Sequence, residues 1–341
     1  MKKRFYISVF LVNCFIFSFA QQDATKIKPG KIWDDVSGNP INAHGGGFLY
    51  FNHVYYWFGE IKKGKTWRVP GVTSWEDYRV NVSGISCYSS KDLLHWKYEG
   101  IALAPDMNDS TNDLHYSKVI ERPKVIYNSH TRKFVMWMHI DQQDYNYARA
   151  GVAVSDKPEG PYHYIKSMRP NGQMSRDMTL YKDDDNEAYL IYSSENNKTM
   201  QVCLLSDDYL EPTATYTRIL IGANREAPAL FKYNGKYYLI SSLCTGWDPN
   251  TALYAEADHP LGDWKLLGNP CFGPDADSTY HAQSTYVLPV FGRDNTFIFM
   301  ADRWDKTDLE NSRYIWLPLH FVGDKPVVEW KDEWSLSEPG F

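Results

Sequence analysis

The sequence predicts an all-β fold, a five-bladed β-propeller, and three observations carry that prediction. Short aromatic strands and turn signals recur along the chain with hardly any helical period. One hairpin pattern appears five times, and a second hairpin follows each copy. Two hairpins make a four-stranded unit, and five such units in tandem make a ring of blades. A β-sandwich would use similar strands without the regular repeat. At 341 residues the chain can bury a full core without staples, and its 43% hydrophobic content separates it from disordered sequences.

Residues 1–20 stand apart from the repeats. Lys2, Lys3 and Arg4 precede a nearly apolar run from Phe5 to Phe19, and Ala20 meets a polar start at Gln21. This layout predicts a secretory signal peptide, with an apolar core too short for a membrane span. The mature protein is then expected to be secreted or periplasmic, with residues 21–341 forming one domain. Losing three positive charges makes it more acidic than the formal −6 of the whole chain. With no basic cluster, nucleic acid and anionic membranes are disfavoured as partners, and a monomer is expected. Cys87, Cys203, Cys244 and Cys271 remain. An exported location permits disulfides among them in three pairings, but a chain of this size does not depend on any.

The five first hairpins run Gly45–Glu60, Glu121–Ile140, Asp177–Ser194, Glu226–Leu243 and Gln283–Asp302. In each an apolar strand enters a polar turn and an aromatic-rich strand returns. The acidic run Asp183–Asp185 belongs to one of these turns. It imitates a calcium loop but has Ala188 where the central Gly belongs and lacks the closing Glu. Four of the second hairpins carry an Asp followed six residues later by a bulky or turn residue: Asp156/Tyr162, Asp207/Thr213, Asp258/Trp264 and Asp324/Trp330. The copy around Asp92/Trp96 is shorter.

In a propeller the inner strands surround the axis, and their starting ends converge on one mouth. The residues expected there are His44/Gly45, Glu121/Arg122, Arg176/Asp177, Arg225/Glu226 and Gln283/Ser284. Buried charges are costly unless paired, so carboxylates and arginines gathered at one mouth point to chemistry. No nucleophile elbow, phosphate loop, dinucleotide fingerprint or zinc-protease helix is present, and the ten His show no close ligand spacing. No metal ligand set is therefore expected, although a structural calcium remains compatible with the fold. Paired carboxylates in an aromatic pocket suit glycoside cleavage, in which one protonated acid assists the leaving oxygen and a second group handles water. Most of the 12 Trp and 25 Tyr are expected to pack between blades, with a minority lining the pocket.

These residues resemble glycoside hydrolase family 43, and within it the exo-β-1,3-galactanase subgroup. The phrases that carry the resemblance are Gly38–Gly47, Tyr55–Glu60, Glu121–Asn128, Ser175–Asp185, Arg225–Ile240, Cys244–Trp247 and Gln283–Pro289. The resemblance spans nearly the whole mature chain. It implies a five-bladed propeller that inverts the anomeric centre, with Glu226 as general acid and Asp177 as the carboxylate that tunes and aligns it. An ion pair between Arg225 and Glu226 is disfavoured because neighbours on a strand point to opposite faces. The departure lies in the first blade, where Gly45 stands at the place expected for the family's usual Asp base. The galactanase subgroup shares that absence, and there a fifth-blade glutamine, matched by Gln283, is proposed to position the water. Glu121 is chemically the better base and is its rival. Glu60 and Asn196 are expected to bind sugar hydroxyls, with Tyr145, Thr245, Trp247 and Arg303 as further loop candidates and Arg122 as a brace for Glu121 or Asp177.

The expected activity is release of galactose from the non-reducing end of β-1,3-galactan or arabinogalactan, without a cofactor. An α-L-arabinofuranosidase or β-xylosidase of the same fold is the alternative. A non-catalytic sugar-binding propeller is the third reading, against which the retention of both Glu226 and Asp177 argues.

Overall fold

The computed structural model describes residues 25–71 and 77–338, so the expected signal peptide lies outside the described residues. Within them, five antiparallel sheets follow one another along the chain. Blade one pairs His44–Phe51, Val54–Glu60, Ile85–Ser90 and Lys97–Leu103, from the axis outward. Blade two pairs Val119–Asn128, Lys133–Asp141, Arg149–Ser155 and His163–Met168. Blade three uses Met178–Lys182, Ala188–Ser194, Thr199–Leu205 and Pro212–Ile219. Blade four uses Arg225–Tyr233, Lys236–Leu243, Leu253–Ala257 and Lys265–Leu266. Blade five uses Gln283–Pro289, Phe297–Arg303, Arg313–Val322 and Lys325–Glu329, with Cys271–Phe272 added in parallel at its outer edge. The five first hairpins of the sequence are therefore the two inner strands of five blades.

The blades cohere because their strands are apolar on both faces. One hydrophobic cluster fills each of the five gaps between neighbouring blades. On Phe297–Arg303, for example, Phe297, Phe299 and Ala301 face blade four while Ile298 and Met300 face blade one. Alternation sends successive side chains to opposite sides, so a strand buried on both sides reads as a continuous apolar run. Trp57, Trp96, Trp137, Trp316 and Trp334 are fully buried in this way, which confirms the expectation that aromatics mostly fill the gaps. Each large side chain so buried contributes about 1.5–3 kcal/mol. The ring closes where Thr285 Oγ1 of blade five donates to the Gly46 carbonyl of blade one at 2.8 Å. An antiparallel bridge between Ile27 and Trp334 ties the two ends of the described chain together.

The six-residue spacing of the second hairpins has a physical cause in blades two and four. Asp156 and Asp258 open turns in which the aromatic six residues on donates to a proline carbonyl, Tyr162 to Pro158 and Trp264 to Pro260, each at 2.9 Å. Asp324/Trp330 does not share this role: Asp324 sits in a tight turn and Trp330 follows the last strand of blade five. Asp183–Asp185 is the turn of blade three, and Asp183 accepts from Lys232 Nζ and Tyr237 of blade four, which spends its carboxylate on fastening two blades. All four cysteines are free thiols, so none of the three permitted disulfide pairings is formed.

Candidate active site

The mouth is shaped by bulges. In blades one, two and four the register jumps at the start of the inner strand, where His44 faces Glu60, Glu121 faces His139 and Glu226 faces Ser242. The residue after each of these, Gly45, Arg122 and Ala227, has a φ of +58°, +57° and +54°. A left-handed residue inserted into one strand bends it and re-aims the preceding side chain. Glu121 and Glu226 are turned toward the axis in this manner, and the equivalent residue of blade one is His44, one position before Gly45.

At Gly45 a β-carbon would lie 2.2 Å from Glu60 Oε1, so the Glu60 carboxyl occupies the space a side chain there would need. Gly45→Ala should therefore fold but displace Glu60, raising KM at least tenfold for a substrate that Glu60 holds. An unchanged KM would show that Glu60 does not touch substrate.

Glu226 and Arg225 point to opposite faces, as alternation requires. The Arg225 guanidinium is buried against Ser241 and the Thr251 carbonyl. Glu226 Oε1 accepts from Gln283 Nε2 at 2.9 Å and Oε2 accepts from Asn197 Nδ2 at 3.2 Å. Burial raises the Glu226 pKa to about 8, with the negative charge of Asp177 adding to the rise and Arg122 opposing it. The group is protonated at neutral pH, and burial contributes more to this than the neighbouring carboxylate does.

Arg122 is the hub that joins four blades. Its Nε and Nη2 grip Asp177 at 3.1 and 2.8 Å, Nη2 also donates to Gln283 Oε1 at 2.6 Å, and Nη1 reaches the Ser284 carbonyl at 3.3 Å. Its backbone N–H donates to Glu60 Oε1 at 3.0 Å. Of the two braces the sequence suggested for it, Asp177 is the one observed. Asp177 Oδ2 also accepts the Ala227 N–H at 3.1 Å, which locks it beneath the acid.

Gln283 is fully engaged. Its oxygen accepts from Arg122 and from Trp304 Nε1 at 3.1 Å, while its nitrogen donates to Glu226 and to Ser242 Oγ at 3.1 Å. These four bonds exhaust a carboxamide's two donors and two acceptor directions. The residue physically links the acid to the Arg122–Asp177 pair.

Glu121 sits across the pocket. Oε1 accepts from the Tyr145 hydroxyl at 2.8 Å and Oε2 lies 3.3 Å from His139 Nδ1. Burial alone would raise its pKa, but the His139 ring 3.3 Å away and the charges of Lys62 and Arg79 hold it far below the usual carboxylate range. Burial would in turn lower His139, yet its hydrogen bond to Asp141 and the facing Glu121 carboxylate lift it to about 9. Glu121 is thus a fixed anion beside an imidazolium. Glu60 is raised, first by burial and against the pull of Lys62, whose ammonium is 2.6 Å from Oε2. Ligand atoms of Glu121, His139 and Asp177 come within 4.8 Å of one another, a spacing that could hold a cation. Each of them already has a protein partner, Asp177 in Arg122, Glu121 in Tyr145 and His139 in Asp141.

These groups line a cavity of about 570 Å³ together with Asn196, Thr245 and Trp247. Nine of the ten expected site residues thus share one pocket: Glu226, Asp177, Gln283, Glu121, Glu60, Asn196, Tyr145, Thr245 and Trp247. Arg303 is the exception. It donates to the Tyr280 carbonyl at 2.7 Å and stacks over Trp330, facing away from the axis. The next residue, Trp304, enters the pocket instead, since alternate residues of a strand face opposite ways. The rings of Trp304 and Trp247 meet edge-on at 5.2 Å, with Lys62 Nζ 5.7 and 5.6 Å from their centroids. Trp247 Nε1 is buried without a partner among the described residues, a donor free for a ligand hydroxyl. Thr245 uses its hydroxyl within its own loop, accepting from Asn250 at 2.7 Å.

Sequence reasoning missed Trp304, Asn197, Lys62, Arg79 and His139. Asn197 and Trp304 each lie one residue from an expected position. His139 stands opposite Glu121 on the paired strand, a relation legible once the hairpin register is known. Arg79 stacks on Tyr145 at 4.4 Å from a small hairpin of Trp67–Arg68 with Tyr78–Arg79 that carries no mark of the repeat.

The profile of glycosyl hydrolases family 43 matches residues 67–283. Among solved structures, the chain is 45% identical to the family 43 β-1,3-galactosidase BT3683, solved with galactodeoxynojirimycin. That match covers 91% of this chain and 100% of the other, with a TM-score of 0.85. It is 36% identical to the exo-β-1,3-galactanase of Phanerochaete chrysosporium solved with galactose, over 92% of this chain and 68% of the other, at a TM-score of 0.81. A xylosidase/arabinosidase of Bacteroides ovatus is 29% identical over 40% of this chain and 52% of its own. A β-xylosidase of Xylanibacter ruminicola is 28% identical over 35% and 47%. The chain thus matches about half the length of these last two relatives.

Proposed function

Because the chain belongs to glycosyl hydrolase family 43, we propose that it is an exo-acting β-1,3-galactanase that releases galactose from the non-reducing end with inversion. The observation that carries this reading is a buried Glu226 tied through Gln283 to Arg122 and Asp177, in a pocket sized for a sugar. The likeness to a β-1,3-galactosidase along its whole length supports the linkage. Glu226 gives its proton to the glycosidic oxygen as the bond breaks. Glu121, held ionised by His139, places negative charge where the oxocarbenium-like transition state builds positive charge. Water is delivered by Glu121, or by Gln283 once substrate releases one of its four bonds. Trp247 and Trp304 offer stacking faces at the rim, and Glu60 and Asn196 take sugar hydroxyls. The substrate is a β-1,3-galactan such as an arabinogalactan backbone, met by an exported, monomeric enzyme whose reaction uses water and protein groups.

Hydrolysis of β-1,3-galactobiose followed by NMR tests this reading, with galactose expected first as the α-anomer. If the disaccharide survives while an aryl arabinofuranoside or xyloside is cleaved, the second reading, favoured by the names of the two shorter relatives, takes its place. If none is cleaved, the protein is a sugar-binding propeller. Azide separates the two candidates for water. It should restore turnover to whichever of Gln283→Ala and Glu121→Gln has lost the group that delivers the nucleophile, and it should leave the other unrescued.

A further inference from the structure

Lys124 is a fully buried amine of blade two that does not line the catalytic cavity. Its stem fills the space at Gly47 of blade one, where a β-carbon would lie 2.2 Å from Lys124 Cδ. Nζ donates to the Gly45 carbonyl at 3.0 Å and more weakly to the Arg122 carbonyl at 3.5 Å. Gly45 and Arg122 are the left-handed residues of the first two bulges, and the register of their hairpins skips both. A bulge leaves its extra residue out of the ladder. In blade four the matching bulge is served by a hydroxyl, Ser284 Oγ donating to the Ala227 carbonyl at 2.7 Å. One amine thus does for two bulges what a neutral side chain does for one.

A side chain needed only to fill this space would be apolar, since burying an amine is unfavourable. Burial pulls the Lys124 pKa down to about 7, with the Arg122 charge adding to the fall and Glu60, Asp177 and Asp302 opposing it. Charged or neutral, the nitrogen keeps a hydrogen for each carbonyl.

Both pinned stretches of backbone meet Glu60. The Arg122 N–H donates to Glu60 Oε1 at 3.0 Å, and the same oxygen fills the space where Gly45 would carry a β-carbon. Gly45 is held from its other side as well, its N–H donating to Asp302 Oδ2 at 3.0 Å. We propose that Lys124 is a positioning residue for substrate binding, which fixes the backbone at Gly45 and Arg122 and through it the Glu60 carboxyl. The proposal rests on the reading in which Glu60 takes a sugar hydroxyl.

The test compares KM and kcat of the wild type, Lys124→Met, Gly47→Ala, Glu60→Ala and Glu60→Ala/Lys124→Met. The substrate is whichever of β-1,3-galactobiose, an aryl arabinofuranoside or an aryl xyloside the wild type cleaves, so the galactanase reading can fail without this one. Lys124→Met removes the donors, whereas Gly47→Ala pushes the stem aside and leaves the amine in place. Each should raise KM at least fivefold with kcat within threefold of the wild type. Where Glu60 is already Ala, adding Lys124→Met should change KM less than twofold, because no carboxyl is left to position. A wild-type KM in both single variants overturns the proposal, as does the same fivefold rise in the Glu60→Ala background. Should Lys124→Met fail to fold, Gly47→Ala and Glu60→Ala/Gly47→Ala decide by the same criteria. A wild-type KM in Glu60→Ala, or a wild type that cleaves none of the substrates, removes the reading beneath the proposal and the proposal with it.

Discussion

Glu226→Gln is expected to lower kcat on β-1,3-galactobiose by about 10²–10⁴-fold, the usual contribution of a positioned general acid. Binding should survive, because Gln keeps the size and shape of the side chain and its carbonyl oxygen can still accept from Gln283 or Asn197. Isothermal titration with galactobiose should return a dissociation constant within a few-fold of the wild type. On an aryl galactoside with a good leaving group the loss should be far smaller, since that bond breaks without proton assistance. A uniform loss on both substrates would instead indicate a collapsed pocket. The pH profile adds a second check. Activity requires protonated Glu226, so kcat/KM should fall as pH rises through about 8. Stability follows the same sign. A carboxyl raised by the fold binds its proton more tightly folded than unfolded. Its contribution is present below 4.5 and is lost as pH climbs toward about 8. Glu226→Gln should therefore flatten the fall in melting temperature between those limits, which a merely structural glutamate would not show.

Asp177→Ala is expected to damage both stability and turnover. Arg122 is almost fully buried, and its two-toothed grip on Asp177 is the compensation for that burial. Removing one partner of a buried pair costs about 3–5 kcal/mol, because the other charge is left without its counterion. Denaturant unfolding should register that loss. Asp177→Asn separates the two effects: it keeps hydrogen-bonding capacity but removes the charge that helps raise Glu226. The alkaline limb of kcat/KM should then move to lower pH. An unmoved limb would show that burial alone sets the acid, and that Asp177 serves only to hold Arg122.

Much of the architecture was legible because a propeller is periodic. Hairpins repeated five times, with apolar residues on both faces of each strand, specify blades, and their starts specify a mouth. Local rules then placed Glu226, Asp177, Glu121 and Gln283 in one pocket and sent Arg225 away from it, since strand alternation acts between neighbours. One departure arose where that alternation meets an irregularity. Arg303 faces outward and Trp304 inward because the strand phase at the rim is set by pairing with Arg313–Val322. The bulges that set His44 in register with Glu121 and Glu226 are a further feature that a linear pattern does not reveal.

By itself, then, the sequence determined the ring of five blades, the family resemblance and the acid–carboxylate pair, all properties of short repeated segments. Tertiary structure alone decided that Arg122 grips Asp177 and Gln283, that His139 ionises Glu121, and that Arg79 and Lys62 reach the pocket. Those contacts join residues from different blades or from an insertion outside the repeat. Their energies depend on burial and charge spacing that exist only once the ring has closed.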